Sequence, residues 1–483
     1  MQFKVGKKDI FWSYFGQILF SGINVILLPF VLKLLSSQEL GLWYTYTALG
    51  TLIMLLDFGL GTTLTRYIAY SMNGASSIDD QGTPIFNIEK GPNIELYKLV
   101  IMASKKIYKN IAIISLLIVV IVGLPYMLFI SSGEIETRNV VLSWLFFSAA
   151  IILNLMYAYW TPILKGINEI KSYYQIMVLS KTLQLIISIT LLLVGMNLLG
   201  ISVAYLVSSI STRILSMIFY KRSVIYDQVK EEFSSINISL SQVGLTIKKI
   251  KSSIVKQGTI SISYFVNERS SLLIVSAFYG LSMSAKFGLT VQIFSLISVF
   301  ANVYYNAMIA PIISQKSNGR HKEAFSTIKK TLGIQFLIFT TSSILVITFG
   351  NMILLLIRSN SLLLGTNMLI IYSIYILLFN YQTICSNYIV MDNRFPMLKA
   401  YVITGLFLIL IELLLSIFYI NFGLYNILVT QLLLLILYNG WKWPSKIASE
   451  NEQSTIRMIA DSISLGFHEI VSLLKFGGAH ERS

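Results

Sequence analysis

The amino-acid sequence predicts an all-α, polytopic membrane protein with about twelve transmembrane helices, arranged as two six-helix bundles around a central cavity. Of its 483 residues, 55% are hydrophobic and only 12% are charged, which is about half the charge of a soluble domain. The apolar residues form runs of about 20, as bilayer-spanning helices require, and not the short alternating segments of a membrane barrel. Basic residues concentrate at one set of helix ends, which orients the helices in the membrane.

Twelve runs are long and apolar enough to cross a bilayer. They cover residues 10–35, 40–69, 111–130, 140–163, 174–193, 199–220, 259–279, 287–313, 331–357, 364–391, 398–420 and 424–441. The first run follows three lysines but shows no small-residue cleavage site, so we interpret it as a transmembrane helix and not as a signal peptide.

Lysine and arginine positions predict that both termini lie in the cytoplasm. With the N-terminus inside, only Lys33, Arg138, Lys286 and Arg358 of the 37 basic residues fall on the outer side, and Arg269 lies mid-helix. Cytoplasmic loops of membrane proteins carry such an excess of basic residues. The net charge of +15 is therefore explained by topology, and no nucleic-acid partner is expected.

The predicted organisation has four segments. An N-terminal bundle covers 1–220, a cytoplasmic linker 221–257, a C-terminal bundle 258–442 and a cytoplasmic tail 443–483. Six helices per bundle give both halves the same orientation, as in transporters built from parallel repeats.

The linker carries an amphipathic pattern. Its apolar residues recur at helical spacing among lysines, at Leu240, Val243, Ile247, Ile250 and Ile254. Such a helix is typical of segments that lie on the anionic inner leaflet, and a solvated loop helix is the alternative. The tail repeats the pattern more weakly, at Ile456, Ile459, Ile463, Phe467 and Ile470.

Motifs of several enzyme classes are missing from the sequence. The single cysteine, Cys385, excludes a disulfide framework, and three scattered histidines make no ligand cluster, so no metal or cofactor is expected. No phosphate-binding GxxxxGKS or GxxxxGKT loop occurs. The triplet Asp57-Phe58-Gly59 matches a kinase motif, but no other kinase motif accompanies it. These absences favour a transporter over an enzyme.

Polar residues lie along single faces of several predicted helices, which indicates a hydrated cavity. The candidate cavity residues of helices one, eight and ten are Gln17, Asn24, Gln292, Asn302, Asn306, Asn380 and Asn387. Alternatively, such residues bind neighbouring helices to one another.

Ionisable residues inside helices are costly and mark functional sites. Helix seven carries three polar candidates in a row, Asn267, Glu268 and Arg269. A buried arginine would bind phosphate, and a buried carboxylate would bind a proton or sodium ion. Asp57 in helix two and Lys181 in helix five complete the candidate site, and Glu412 lies well inside helix eleven. Alternatively, the acids neutralise nearby basic side chains.

Several short motifs are similar to those of a known transporter family. They are Leu27-Leu28-Pro29, Ser37-Gln38-Glu39-Leu40-Gly41-Leu42-Trp43, Leu56-Asp57-Phe58-Gly59-Leu60-Gly61, Thr65-Arg66-Tyr67 and Ile163-Leu164-Lys165-Gly166. With the twelve-helix plan, these motifs resemble the Wzx-type flippases of O-antigen and capsule repeat units. That family shares a superfamily with the MATE drug exporters and the lipid II flippase MurJ.

The resemblance implies a non-enzymatic flippase of the bacterial inner membrane. Its substrate would be undecaprenyl-pyrophosphate-linked oligosaccharide, moved from the inner to the outer leaflet by ion-coupled alternating access. Cationic cavity residues would receive the pyrophosphate, a role that Arg269 matches. The implied partners are a coupling proton or sodium ion, membrane lipids, a polysaccharide polymerase and a chain-length regulator.

Two other functions stay open. Export of small cations, as by MATE transporters, would use acidic cavity residues, and Asp57 and Glu268 are available. A membrane enzyme of polysaccharide assembly, such as a polymerase, would need catalytic groups in an outer loop. Only Glu134, Glu136 and Arg138 are available there.

Overall fold

The computed structural model describes residues 22–23, 25–78, 84–86, 91–392 and 394–477. For residues 84, 86, 249–265, 267–268, 310, 317 and 473–477 it describes the backbone but not the side chains. These residues are almost entirely helical, apart from a short antiparallel hairpin of β1 (Ala75–Ile78) and β2 (Pro84–Phe86). Nine helical segments among them are long and apolar enough to cross a membrane. The prediction of an all-α, multi-pass membrane protein is confirmed, whereas the inward orientation of both termini stays a prediction.

The chain folds into two compact units, Met1–Phe265 and Val266–Ser483. The described helices that begin in the first unit are α1 (Val25–Leu34), α2 (Ser37–Met54), α3 (Leu60–Met72), α4 (Ile94–Ile118), α5 (Leu124–Ser131), α6 (Thr137–Met156), α7 (Trp160–Gly166), α8 (Ile170–Leu193), α9 (Asn197–Lys221), α10 (Val224–Ser235) and α11 (Leu240–Phe278). A 3₁₀ turn, Leu55–Asp57, follows α2, and a π turn, Val119–Gly123, joins α4 to α5. Helix α11 ends in the second unit.

The second unit continues with eight described helices. They are α12 (Leu281–Ala301), α13 (Val303–Ser317), α14 (His321–Leu356), α15 (Thr366–Val390), α16 (Leu398–Phe418), α17 (Tyr425–Leu434), α18 (Gly440–Glu450) and α19 (Thr455–Gly477). A π turn, Leu435–Asn439, makes α17 and α18 one continuous segment, which corresponds to the twelfth predicted run.

Side-chain caps fix the starts of α2 and α4. At the start of α2, the Ser36 hydroxyl accepts a hydrogen bond from the Glu39 backbone N–H (3.2 Å), and the Glu39 carboxylate accepts one from the Ser36 N–H (2.9 Å). This capping box satisfies two backbone donors that a helix start otherwise leaves unpaired. Asn93 caps α4 through the Leu96 N–H (2.9 Å). Helix α4 therefore begins at Ile94, before the third predicted span, 111–130. The lysine-rich residues 94–110 are helical, but they are not apolar enough for a hydropathy criterion to include them.

The linker packs against other helices of the first unit. Val243 of α11 is 2% exposed and joins one apolar core with Tyr97 and Ile101 of α4 and with Val229 of α10. Two residues of the predicted amphipathic pattern therefore differ in their surroundings: Val243 packs on protein, whereas Leu240 is 75% exposed. Helical spacing alone does not tell a membrane-facing residue from one that packs on a neighbouring helix.

The tail packs along α14 through two glycines. A Cβ added at Gly333 would lie 1.7 Å from the Ser462 carbonyl oxygen, and one at Gly466 would lie 2.4 Å from the Gly333 carbonyl carbon. The two backbones are therefore in direct contact, as small residues allow. Ion pairs flank the crossing, from Lys329 to Asp461 (3.2 Å) and from Lys330 to Glu469 (3.0 Å).

We expect Gly333→Ala to detach α19 from α14 and to lower the midpoint of thermal unfolding by several degrees, because the added methyl group meets backbone that cannot move aside. Thermal unfolding of the purified protein in detergent measures this effect. Gly365→Ala is the matched control, since no atom lies within 4 Å of the Cβ position there. Equal unfolding midpoints for the two variants would contradict the glycine crossing.

Candidate functional site

The structure describes only part of the predicted site in helices one and seven. Gln17, Asn24 and the side chains of Asn267 and Glu268 lie outside the described residues. Arg269 of α11 is half-buried. The predicted proximity of Arg269 to the other candidate residues therefore stays a prediction.

The amide candidates of the second unit are not alike. Asn380 is buried, and its amide donates a hydrogen bond to the Ser298 hydroxyl (2.8 Å), which ties α15 to α12. Asn302 interrupts the predicted span 287–313, because α12 ends before it and α13 begins after it. Asn306 is exposed. Asn380 thus makes a contact between two helices, and a binding surface shared by the three residues stays a prediction.

Gln292 and Asn387, the remaining amide candidates, are half-buried on α12 and α15. The pairing of Asn380 with Ser298 was the alternative that the sequence left open, and the structure favours it for that residue.

Asp57 lies at a break in the second predicted span. The 3₁₀ turn ends at Asp57, and Phe58 (φ 49°) and Gly59 (φ 70°) adopt left-handed conformations before α3 begins. A left-handed phenylalanine costs about 1–3 kcal/mol, so the surrounding structure must hold it in place. The carboxylate is hydrogen-bonded by the Tyr108 hydroxyl and the Gly61 N–H. Its Oδ1 has no hydrogen-bond partner among the described residues.

Basic side chains of the first unit lie over tyrosine rings. The Arg213 guanidinium carbon is 3.1 Å from the ring centre of Tyr157, and the Lys165 ammonium is 4.2 Å from that of Tyr173. Cation–π contact holds such groups in place without neutralising them. No described carboxylate lies within ion-pair distance of Lys165 or Arg213, so their charges are available to an anion.

The predicted site residue Lys181 belongs to the same group of basic side chains. Its ammonium donates a hydrogen bond to the Gln184 amide oxygen (2.8 Å) and lies 5.0 Å from the ring centre of Tyr205. Gln184 itself is buried. Lys181 and Gln184 thus pair with each other within α8.

Glu412 forms the most deeply buried carboxylate cluster in the described part of the second unit. Glu412 is 0% exposed on α16, and its Oε1 accepts a hydrogen bond from the Ser271 hydroxyl of α11 (2.7 Å). Ser271 in turn accepts one from the Gln431 amide of α17 (2.7 Å). Glu412 Oε2 and Gln431 Oε1 are buried without a hydrogen-bond partner among the described residues.

This cluster is chemically incomplete. An isolated buried carboxylate is unfavourable by several kcal/mol unless a cation or a proton neutralises it. The described residues place no basic side chain within ion-pair distance of Glu412, and they leave two acceptor oxygens unsatisfied. The arrangement of Ser271, Glu412 and Gln431 therefore suits a proton or a sodium ion, both of which would restore neutrality.

The fold is shared with solved transporters. An inward-facing multidrug resistance MATE transporter of the MOP superfamily aligns with TM-score 0.63 and 16% identity over 90% of this chain and 96% of that one. The lipid II flippase MurJ, in an inward closed conformation, aligns with TM-score 0.61 and 14% identity over 96% and 91%. An outward-facing MATE transporter aligns with TM-score 0.50 and 14% identity over 93% and 98%.

The chain has the fold of the MATE and MurJ transporters. No family model matches its sequence, and no curated protein matches it. At these identities the likeness establishes the MATE/MurJ fold alone, and the substrate has to be inferred from the residues of this chain.

Within the MATE/MurJ fold, an ion-pair network lies after α15. Buried Lys316 of α13 pairs with Asp392 (3.0 Å), and Arg394 bridges Asp392 (2.7 Å) and Glu450 of α18 (3.0 Å). Burial acts to raise the pKa of Asp392, but hydrogen bonds from Arg394 and Lys316 outweigh it and hold that pKa below its usual range.

We expect Asp392→Asn to destabilise the protein by about 3 kcal/mol, because it leaves the Lys316 charge buried without its counter-ion. Arg394→Ala removes a half-exposed partner and should cost less than about 1 kcal/mol. Thermal unfolding at neutral pH compares the two variants. The contribution of Asp392 is complete above about pH 4 and disappears as the pH falls through its lowered folded-state pKa. Equal destabilisation by both variants would contradict this assignment.

Most of the clusters described above were not predicted from the sequence. Glu412 and Ser271 were visible as polar residues inside apolar runs, but Gln431 was not distinguished from other isolated polar residues. No sequence spacing relates positions 271, 412 and 431, because the fold alone brings α11, α16 and α17 together. The only available signal was the single acid in the very apolar run of α16.

Proposed function

We propose that this chain is a flippase of the bacterial inner membrane that moves undecaprenyl-pyrophosphate-linked oligosaccharide repeat units from the inner to the outer leaflet. The MATE/MurJ fold supports a transporter, and one of the solved neighbours is a lipid II flippase. The proposed mechanism is ion-coupled alternating access of two bundles, 1–220 and 258–442. A polysaccharide polymerase and a chain-length regulator would act on the delivered units.

The observation that best supports the proposal is the presence, in the first unit, of basic side chains whose charges no described carboxylate neutralises. Lys165 and Arg213 are held over Tyr173 and Tyr157 and have no carboxylate partner among the described residues. Ammonium and guanidinium groups of this kind form strong, charge-assisted hydrogen bonds with phosphate oxygens. Cationic side chains without a carboxylate partner fit a pyrophosphate better than a cationic drug.

Glu412 is the proposed coupling site. Binding of a proton or sodium ion among Ser271, Glu412 and Gln431 would make the cluster neutral, and release would leave a buried charge. If the cluster is buried in one conformation and hydrated in the other, the ion binds the two conformations with affinities that differ by up to several kcal/mol, and a difference of that size shifts a conformational equilibrium substantially. Ion binding can thereby select one conformation of the transporter.

Export of small cations is the second candidate, and Asp57 is the observation that favours it. Its carboxylate lies at a helix break, partly unsatisfied, without a basic partner among the described residues. The enzyme alternative is less well supported, because Glu134, Glu136 and Arg138 are exposed around the turn between α5 and α6.

We expect Arg269→Ala to abolish flipping if Arg269 receives the pyrophosphate, and Arg269→Lys to restore only part, since lysine lacks the bidentate fork. The measurement is the flipping rate at matched protein abundance. If Arg269 only neutralises Glu268, the double change Glu268→Gln with Arg269→Gln should restore function, because neither charge is left unpaired. Wild-type flipping by that double variant would exclude Arg269 from the substrate site.

Loss of the protein in its native host tests the proposed function. Complete lipid-linked repeat units should accumulate at the inner leaflet, and the outer polysaccharide should be lost. Delivery of unpolymerised units to the outer leaflet would support a polymerase instead. An unchanged polysaccharide together with new sensitivity to cationic compounds would support the MATE-type exporter.

A further inference from the structure

A cavity of about 230 Å³ lies in the first unit, between α4, α7, α9 and α10. It is separate from the Glu412 cluster, which lies in the second unit. Its walls combine four aromatic rings with two lysines, namely Trp160, Tyr220, Tyr226, Phe233, Lys105 and Lys230. The volume is below the range of about 300–1,000 Å³ that encloses drug-sized ligands, so the cavity suits one ring with a charged substituent.

The aromatic wall is fixed before any ligand arrives. The Trp160 and Tyr220 rings lie 5.4 Å apart, as do those of Tyr220 and Tyr226. A hydrogen bond between the hydroxyls of Tyr97 and Tyr220 (3.1 Å) holds the central ring. The C–H face of a sugar ring is apolar and packs well on such an aromatic surface, while its hydroxyls remain free to bind polar groups.

Both lysines are available to an anion. The Lys105 ammonium lies 5.7 Å from the ring centre of Tyr159, and no described carboxylate is within ion-pair distance of it. Lys230 pairs with Asp227 at 3.3 Å, but both side chains are about half exposed or more. An exposed pair of this type contributes little and is readily exchanged for a stronger partner.

Helix α10, which closes the cavity, is anchored at both ends. The Ser223 hydroxyl caps its first turn by accepting from the Tyr226 N–H (3.3 Å). At its other end the Lys98 ammonium donates hydrogen bonds to the carbonyls of Phe233 and Ile236. A cation at a helix C-terminus is favourable because it meets the unpaired carbonyl groups there. The binding surface is therefore preorganised, which lowers the entropic cost of binding.

We propose that this cavity binds a phosphorylated sugar head, with the phosphate at Lys105 and Lys230 and the sugar ring against Trp160 and Tyr220. The inference rests on the proposed function and deepens it: the cavity is a reception site for the phosphate and the first sugar of the substrate. Helix α10, which forms one wall of the cavity, belongs to the linker, which the sequence predicts on the cytoplasmic side, where lipid-linked glycans would arrive.

The test is binding of glucose 1-phosphate to the full chain in phosphatidylcholine nanodiscs. Trp160 is one of six tryptophans, so the fluorescence difference between wild type and Trp160→Phe isolates the signal of the cavity. We expect saturable binding that weakens about tenfold or more in Lys105→Ala and in Lys230→Ala, as for the loss of a hydrogen bond to a charged group. Lys106→Ala is the matched control, because Lys106 follows Lys105 on α4 and is exposed like it, but does not line the cavity.

Four outcomes would overturn the inference. Lys106→Ala weakens binding as much as Lys105→Ala; glucose binds as well as glucose 1-phosphate; inorganic phosphate binds as well as glucose 1-phosphate; or phosphatidylglycerol in the nanodisc produces the Trp160 signal and blocks the sugar phosphate. The last result would assign the cavity to a phospholipid headgroup.

The inference and the proposed function fail separately. If the protein flips lipid-linked repeat units but does not bind glucose 1-phosphate, the cavity inference alone is wrong. If glucose 1-phosphate binds with the expected dependence on Lys105, but repeat units reach the outer leaflet without the protein, the cavity stands and the proposed function is wrong.

Discussion

Glu412→Gln should abolish the dependence of transport on a proton or sodium gradient while the protein stays folded. A glutamine side chain has nearly the same shape, and its amide oxygen can accept the hydrogen bond from Ser271 that Glu412 accepts at 2.7 Å. The variant also removes a buried charge, so its thermal stability should equal or exceed that of the wild type. What it loses is the ability to bind and release a cation.

Proteoliposomes with imposed pH or sodium gradients measure this effect. Wild-type transport should rise with the gradient of the coupling ion, and transport by Glu412→Gln should not respond. The control is Glu452→Gln, an exposed acid of the same unit, which should behave as the wild type. Full gradient-driven transport by Glu412→Gln would show that Glu412 only joins α16 to α11.

The combined change Arg213→Ala with Lys165→Ala should reduce transport of a pyrophosphate-linked substrate by about a hundredfold. Each charge-assisted hydrogen bond to a phosphate contributes about 1.5–3 kcal/mol, or about tenfold or more. Arg213→Lys should recover part of the activity, because lysine keeps the charge but not the planar group that lies over Tyr157. Initial transport rates at several substrate concentrations measure the loss.

Arg222→Ala is the matched control for Arg213, since Arg222 is exposed just beyond the end of α9. It should leave transport unchanged. Wild-type rates in the combined Arg213 and Lys165 variant would place the anion site elsewhere and favour Arg269. Improved transport of organic cations in that variant would support the MATE-type alternative.

The fold class was predictable because hydropathy and charge distribution can be evaluated for each helix from its own sequence. Runs of about 20 apolar residues have few alternatives to a membrane helix. Helix ends were less predictable, since α4 begins at Ile94 in a lysine-rich segment that hydropathy alone assigns to a loop. The breaks at Asp57 and Asn302 were not predicted, because both residues lie within apolar runs and neither is a proline.

The candidate site was predictable only where a single residue is unusual by itself. Glu412 is conspicuous in an apolar helix, but its partners Ser271 and Gln431 come from α11 and α17, and only the fold brings them together. The cation–π pairs of Lys165 and Arg213 depend in the same way on the packing of several helices. Sequence spacing describes neighbours on one helix, not neighbours across helices.

We propose above all that the protein moves a lipid-linked repeat unit across a bilayer. The most direct test is to measure, in proteoliposomes, the leaflet in which that substrate lies. The substrate is placed in the leaflet that faces the cytoplasmic side of the protein, and a glycan-cleaving enzyme outside the vesicles reports its arrival. We expect the substrate to arrive only with the protein and an ion gradient present, and not with the combined change Arg213→Ala and Lys165→Ala. Substrate that stays in its original leaflet while the same vesicles export small organic cations would contradict it.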